Sequence, residues 1–238
     1  MTRTLVRRGR ITKSNRVPER EVVLPHLKPS LGLDLEVLFV GFNAGEKSAI
    51  QQHRYAHHTN QFWKLFNESR VLDKVSVSLG DSSDERLAEL LEDGCQPIHD
   101  YELLNYGVGF TSLVTRSTKT TLHLSMTEKL ISVPRLLEEI RESNVANIVI
   151  VGKGIWDIIV THFTRKLTIK FKLTSAHFTW GEIPQGHEDE NYSSILAFIY
   201  DSLPERSRVH VLPDTSGLVR HMKYEEKLVL WKDLVDRL

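Results

Sequence analysis

Two stretches of this chain are almost uninterruptedly apolar: Leu35–Phe42 (LEVLFVGF) and Asn147–Gly152 (NIVIVG). Runs of this length, bounded by polar residues, mark strands buried on both faces. Arg208–Leu212 (RVHVL) predicts a third, shorter strand, and the alternation of Lys166–Leu173 (KLTIKFKL) predicts a more exposed one. Helical spacing falls between these runs. Asn60–Val71 places Phe62, Trp63, Leu65 and Phe66 together, and Asp81–Ser83 leads into a helix over Asp84–Glu92 that stops at Gly94. Val133–Glu142 has Ser132 to cap it and Pro134 in its first turn. Ile155–Phe163 and the amphipathic Tyr224–Leu238 complete the helices. Tyr106–Val114, with two glycines in an apolar setting, predicts a loop that another group approaches closely. Gly181 to Asn191 is polar and predicts a surface insertion, and Pro18 to Leu33 a lead-in punctuated by Pro25 and Pro29.

Buried strands alternating with helices predict an α/β fold, a three-layer αβα sandwich around a central, mainly parallel sheet. Ligands of such sheets gather at the carboxyl ends of the strands. Three of the predicted strands end in small or polar residues, as VGFNAG, VGKG and LPDTSG. That coincidence suits a nucleotide-binding protein or a hydrolase equally.

The length of 238 residues suffices for one domain with a substantial core. Residues 1–30 read as a basic arm and lead-in, and 31–238 as the folded domain. The 31 basic and 31 acidic residues cancel, so total charge gives no sign of a nucleic-acid partner. Distribution changes the picture, because the first twenty residues carry Arg3, Arg7, Arg8, Arg10, Lys13, Arg16 and Arg20 against Glu19 alone. Such an arm can lie along phosphates; it also has the composition of a disordered tail or a mitochondrial presequence. The single Cys95 excludes an intrachain disulfide and fits a reducing compartment. Set among Glu92, Asp93, Gly94 and Pro97 with no nearby histidine, it reads as an incidental thiol rather than a nucleophile. No apolar run is long enough to span a membrane.

Three constellations carry candidate chemistry. Gly41-Phe42-Asn43-Ala44-Gly45, continuing to Ser48-Ala49, puts a donor-and-acceptor amide at a strand end among glycines that admit a close ligand. It has neither the Lys-Ser/Thr pair of a phosphate loop nor a dinucleotide fingerprint. His53-Arg54-Tyr55-Ala56-His57-His58-Thr59-Asn60-Gln61-Phe62-Trp63 offers Tyr55 to stack on a flat base. Its histidines match no usual zinc ligand spacing and Cys95 has no CxxC partner, so no metal and no cofactor are expected. In Leu212-Pro213-Asp214-Thr215-Ser216-Gly217-Leu218-Val219-Arg220-His221, a polar turn carries one apolar residue, Leu218. Leu218 reads either as tucked into the core or as a wedge for a base stack.

In this order the segments resemble the mismatch-specific uracil/thymine DNA glycosylases of the uracil-DNA glycosylase superfamily. GFNAGEKSA, YAHHTNQFWK and DTSGLVR match that family's G-[IM]-N-P-G-x-x-S-A, [FY]-A-x-P-x-N-x-F-W-K and N-P-S-G-L blocks, and YGVGFTSLVTRST and VIVGKGIW match the segments between them. The match is colinear over about residues 35–235. The resemblance implies a uracil-DNA glycosylase-like fold and excision of mispaired uracil, thymine or modified pyrimidines from duplex DNA by a monomeric, metal-free enzyme. It implies that Asn43 holds the attacking water, that Tyr55 stacks on the extruded base, and that Ser48 and Phe42 line the pocket. Asp214, Thr215, Ser216, Gly217 and Leu218 would form the intercalation loop, and Lys153, Arg220 and His221 would be candidates for phosphate contact. A nuclear location follows for a eukaryotic chain, with the mitochondrion as the alternative. Two of the departures from the pattern bear on function: Ala44 stands for a proline, and Asp214 for Asn or Ser, placing a carboxylate near DNA phosphates. These departures keep open a DNA-binding relative without turnover. A nucleotide-binding enzyme is the third reading.

Overall fold

In the computed structural model, residues 23–79, 84–217 and 222–238 are described. The basic arm and Asp81–Ser83 therefore lie outside the described residues, as do Leu218, Arg220 and His221. Five strands form one sheet in the order β2-β1-β3-β5-β4. They are β1 (Val37–Gly41), β2 (Val108–Ser112), β3 (Asn147–Val151), β4 (Gly181–Glu182) and β5 (Arg208–Leu212). The first four in spatial order are parallel, and β4 closes one edge antiparallel to β5.

Strand parity builds the two layers. Leu38, Val40, Ile148, Ile150, Val209 and Val211 share one core with α6 (Val133–Glu142), α7 (Lys153–Lys166) and α8 (Glu190–Tyr200). Val37, Phe39, Val108, Phe110, Val149, Val151 and Leu212 point the other way. They meet α2 (Phe62–Glu68), α3 (Val71–Leu79), α4 (Glu85–Asp93) and α9 (Tyr224–Arg237). Both faces of the strands are thus buried, which is why the sequence shows continuous apolar runs rather than alternation. The result is the three-layer αβα sandwich.

The register brings the functional segments to the carboxyl end of the sheet. Gly41 pairs with Ser112, Val40 with Ile150, and Val151 with Leu212. The parallel strands therefore end nearly level, and the three polar extensions emerge side by side.

Several elements differ from the sequence expectation. Tyr106–Val114 contains β2, not a loop; the expected close approach occurs within it, where a Cβ on Gly109 would lie 2.5 Å from Leu35 Cδ1 and 3.0 Å from the Ser30 carbonyl. Lys166–Leu173 is no strand. Helix α7 runs into it, Thr168 takes φ 55°, and Ile169, Phe171 and Leu173 pack on the core without a ladder partner. Gly181 to Asn191 supplies β4 and the start of α8, whose cap is Asp189, accepting from Tyr192 N at 2.9 Å. The helix expected over Asn60–Val71 is the shorter α2, and Arg70 at φ 64° separates it from α3, which the sequence reading did not place. Ser132 does not cap α6: its hydroxyl donates back to the Glu128 carbonyl at 2.8 Å, and Ser125 instead caps the preceding α5 (Met126–Ile131). Helix α1 (Glu46–Gln51) and α8 had no sequence counterpart. Among the described residues no helix is long and apolar enough to cross a membrane.

His210 on β5 is fully buried, with Nε2 facing Asn147 Oδ1 at 3.3 Å and no partner at Nδ1 among the described residues. Burial, aided by the charges of Arg208 and Arg237, pushes its pKa down to about 4. The unfolded chain binds this proton from about pH 6.5 downward while the fold refuses it. Stability is therefore complete above that pH and declines as pH falls toward about 4, by up to about 3 kcal/mol. Urea unfolding at about pH 7.5 and about pH 5 is expected to show this loss, reduced in His210→Leu. An unchanged pH dependence in the variant would trace the effect to other groups.

Candidate active site

A cleft of about 740 Å³ opens at the carboxyl ends of the parallel strands. It is lined by segments from all three constellations, including Phe42, Asn43, Ser48, Tyr55, Asp214, Thr215, Ser216 and Gly217. Asn43 lies two residues past the end of β1. Its Nδ2 donates to the Arg116 carbonyl at 3.0 Å and to Thr118 Oγ1 at 2.7 Å. A carbonyl can only accept, so the amide nitrogen is fixed on that side. Thr118 in turn donates its one hydroxyl proton to the Thr120 carbonyl at 2.8 Å, leaving its oxygen to accept from Asn43. Both amide hydrogens of Asn43 are thereby consumed. Its Oδ1 remains as an acceptor for a ligand's proton.

Ala44 occupies this turn without a proline ring to stiffen it. The turn is instead bonded to the segment after β2: Leu113 N to the Gly41 carbonyl at 2.8 Å, Val114 N to Phe42 at 2.9 Å and Thr118 N to Ala44 at 3.0 Å. The Phe42 side chain packs partly against the core, with the Lys129 ammonium 5.4 Å from its ring.

Tyr55 takes φ 54°, a left-handed conformation costly for a non-glycine residue. The surroundings hold it there. Ala56 N donates to Ser48 Oγ at 3.1 Å and Arg54 N to the buried Asp100 Oδ2 at 2.8 Å, while His53 Nδ1 meets Asp100 Oδ1 at 2.9 Å. The Trp63 indole donates to the Arg54 carbonyl at 2.9 Å. The ring of Tyr55 stacks on Phe62 with centroids 3.9 Å apart and a 3° interplanar angle. Gly41 makes room for it, since a Cβ there would lie 3.1 Å from the phenol oxygen. Burial raises the phenol pKa well above its ordinary value, Arg54 opposes and Asp214 adds to the rise, so the hydroxyl keeps its proton.

Asp214 follows β5. Its Oδ1 accepts from Ser216 N at 2.7 Å, the Asx turn by which an aspartate folds a loop onto itself. Thr215 is buried, and its carbonyl accepts from Gln61 N at 2.9 Å. The fully buried Lys227 donates to Gln61 Oε1 at 3.0 Å, and the Asp214 charge partly offsets the lowering of its pKa by burial. Gly217 fits closely against Thr59: a Cβ would lie 2.6 Å from Thr59 Oγ1 and 2.7 Å from its carbonyl. Gly217→Ala is therefore expected to displace the loop. A rate loss of at least tenfold in single-turnover assays, with a melting temperature lowered by only a few degrees, is the expected outcome; unchanged turnover would show that the loop's position is not needed.

Not every expected residue gathers here. Lys153 pairs with Asp157 one turn along α7, stands 4.9 Å from the Phe178 ring centroid and does not line the cleft. Cys95 is buried elsewhere, its thiol pushed up to about 12 by burial. His57 does line the cleft, where it contacts Thr59 Oγ1 and stacks on His58. Among the described residues no three His, Cys, Asp or Glu side chains converge as a metal site. The sequence reasoning assigned nothing to Thr118, Asp100, Arg54 or Lys227. Thr118 ends the YGVGFTSLVTRST segment, whose resemblance was the one available signal.

The fold and the convergent strand ends define an α/β site protein. Its family follows from comparison with known proteins: the uracil DNA glycosylase superfamily model matches residues 29–235, and the chain belongs to that superfamily. A G/U mismatch-specific uracil DNA glycosylase of Schizosaccharomyces pombe is 28% identical over 155 residues, which cover 65% of this chain and 41% of that relative.

Proposed function

We propose that this protein is a monofunctional DNA glycosylase of base excision repair that removes uracil mispaired with guanine from duplex DNA. The observation that carries the reading is the orientation of Asn43: both amide hydrogens are tied off on Arg116 and Thr118, leaving Oδ1 to hold a water. That water attacks the sugar C1′; the new C–O bond replaces the C1′–N1 bond, whose electron pair departs with the base. The water's surplus proton goes to solvent or to the released base. Uracil is a tolerable anion, so positioning and hydrogen bonding lower the barrier without a metal or a covalent nucleophile.

The flipped base lies against Tyr55, whose strained turn is set by Ser48 and Asp100. Flipping costs a few kcal/mol and least at a mispair, which contributes to selectivity. In sequence the loop from Asp214 to Gly217 is followed by Leu218, the proposed wedge, and by Arg220 and His221, the proposed phosphate contacts. Lys153, committed to Asp157, is a poor phosphate ligand in this arrangement. Asp214 does not weaken the reading, because one carboxylate oxygen closes its own loop and the Lys227 cation interacts with its charge. Thymine is a second substrate if the cleft admits its methyl group. In a eukaryotic cell the expected compartment is the nucleus.

Single-turnover rates on G·U, A·U and G·T duplexes and on single-stranded uracil test this reading. G·U is expected to be fastest, and Leu218→Ala to slow duplex more than single-stranded substrate. Equal rates on G·U and A·U would remove the mispair preference. Binding without release from any substrate would favour the non-catalytic relative.

A further inference from the structure

Residues Lys119 to Leu122 also line the cleft. Leu122 is 88% exposed, an unusual place for a large apolar side chain. Ile50 of α1, 63% exposed, lies on the same cleft. The segment carrying Leu122 is tightly held. Thr118 Oγ1 donates to the Thr120 carbonyl at 2.8 Å, and His123 N and Leu124 N close turns onto Thr120 and Thr121, each at 3.2 Å. The Arg116 guanidinium donates to the His123 carbonyl at 2.9 Å, and Leu124 is buried as an anchor. A rigid turn with an apolar tip is preorganised for a partner, since little freedom is left to lose on binding. Charge indicates which partner. Exposed Lys47 and Lys119 line the cleft against the single exposed acid Glu46, and neither lysine pairs with a carboxylate among the described residues.

We infer that residues 119–122 form a second DNA-binding jaw, with Lys119 on a backbone phosphate and Leu122 against the sugars and bases of the strand entering the cleft. Thr118 is the positioning residue that ties this jaw to the amide of Asn43. The inference rests on the proposed DNA substrate, but its primary readout is binding and needs no turnover. Phosphate contacts make affinity salt-dependent, whereas apolar contacts with sugar and base do not. The two tip residues are thereby separable.

The experiment measures affinity for a G·U duplex containing 2′-fluoro-deoxyuridine, which resists cleavage, across a range of salt. Lys119→Ala is expected to flatten the slope of log affinity against log salt by about 0.9, the amount for one phosphate contact. Leu122→Ala is expected to weaken binding at least about fivefold with the slope kept, as for partial burial of one leucine. Both residues are exposed, so the variants fold. On cleavable G·U duplex at saturating protein, Thr118→Val is expected to lower the single-turnover rate more than tenfold and Thr118→Ser to restore it. A wild-type slope in Lys119→Ala together with wild-type affinity in Leu122→Ala would overturn the jaw. A Thr118→Val rate equal to wild type would overturn the link to Asn43. Failure of the wild-type protein to release uracil would instead strike the glycosylase reading, leaving the binding results to judge the jaw.

Discussion

Asn43→Ala is expected to lower single-turnover excision of uracil by at least about a hundredfold while duplex affinity changes less than about threefold. The magnitude follows from what is removed. Alanine deletes the one acceptor that the local bonding leaves free, along with the two donors that orient it. A lost positioning contact of this kind appears in the chemical step rather than in ground-state binding. Asn43→Asp separates orientation from charge. Its carboxylate can accept from water but cannot donate to the Arg116 carbonyl, so an intermediate rate is expected. A Asn43→Ala rate equal to wild type would remove this residue from the reaction.

The second large effect concerns stability. Asp100 has no exposed surface, and its carboxylate takes both His53 Nδ1 and Arg54 N. The buried guanidinium of Arg54 donates to Ser112 Oγ at 2.8 Å and to the Lys28 carbonyl at 3.0 Å, with Nε unpartnered among the described residues. Burial lowers the Arg54 pKa, and the Asp100 charge is among the influences that restore it. Asp100→Ala leaves this cation with less compensation and an unmet backbone N–H. A loss of about 3–5 kcal/mol is expected in urea unfolding. Asp100→Asn, which retains hydrogen-bonding atoms, should lose less. Because the same carboxylate sets the left-handed turn at Tyr55, excision by whatever protein remains folded should also slow. A loss below about 1 kcal/mol in Asp100→Ala would mean that the buried cluster relaxes to water.

These two residues also show what the sequence made legible. Asn43 stands just past an apolar run with the pattern of a doubly buried strand, so its place at the carboxyl end of the sheet could be read directly. The orientation of its amide could not, because it depends on Thr118, 75 residues away. Asp100 lies 46 residues from Arg54 in a segment with no periodic signal, and only the folded contact gives it meaning. Strand β2 was obscured by two glycines: Gly107 turns the chain at φ 70° just before it, and Gly109 removes a side chain where Leu35 and Ser30 need the space. KLTIKFKL erred in the opposite direction: its apolar residues alternate because they pack on the core, while β4 takes the place beside β5. Asp214 looked hostile to DNA as a bare carboxylate, and its bond to Ser216 N supplies the local role that the residue type alone left open.

The most direct test of the central claim is the fate of the G·U duplex with enzyme in excess in ¹⁸O-labelled water. Hydrolysis through Asn43 predicts free uracil, an alkali-labile abasic site with the strand intact before alkali, and label at the sugar C1′ in the wild type, with release and labelling at least about a hundredfold slower in Asn43→Ala. Because an abasic sugar exchanges this oxygen with water, the product must be trapped by reduction as it forms. Strand scission without alkali, or no uracil released by protein that binds the duplex, would contradict it.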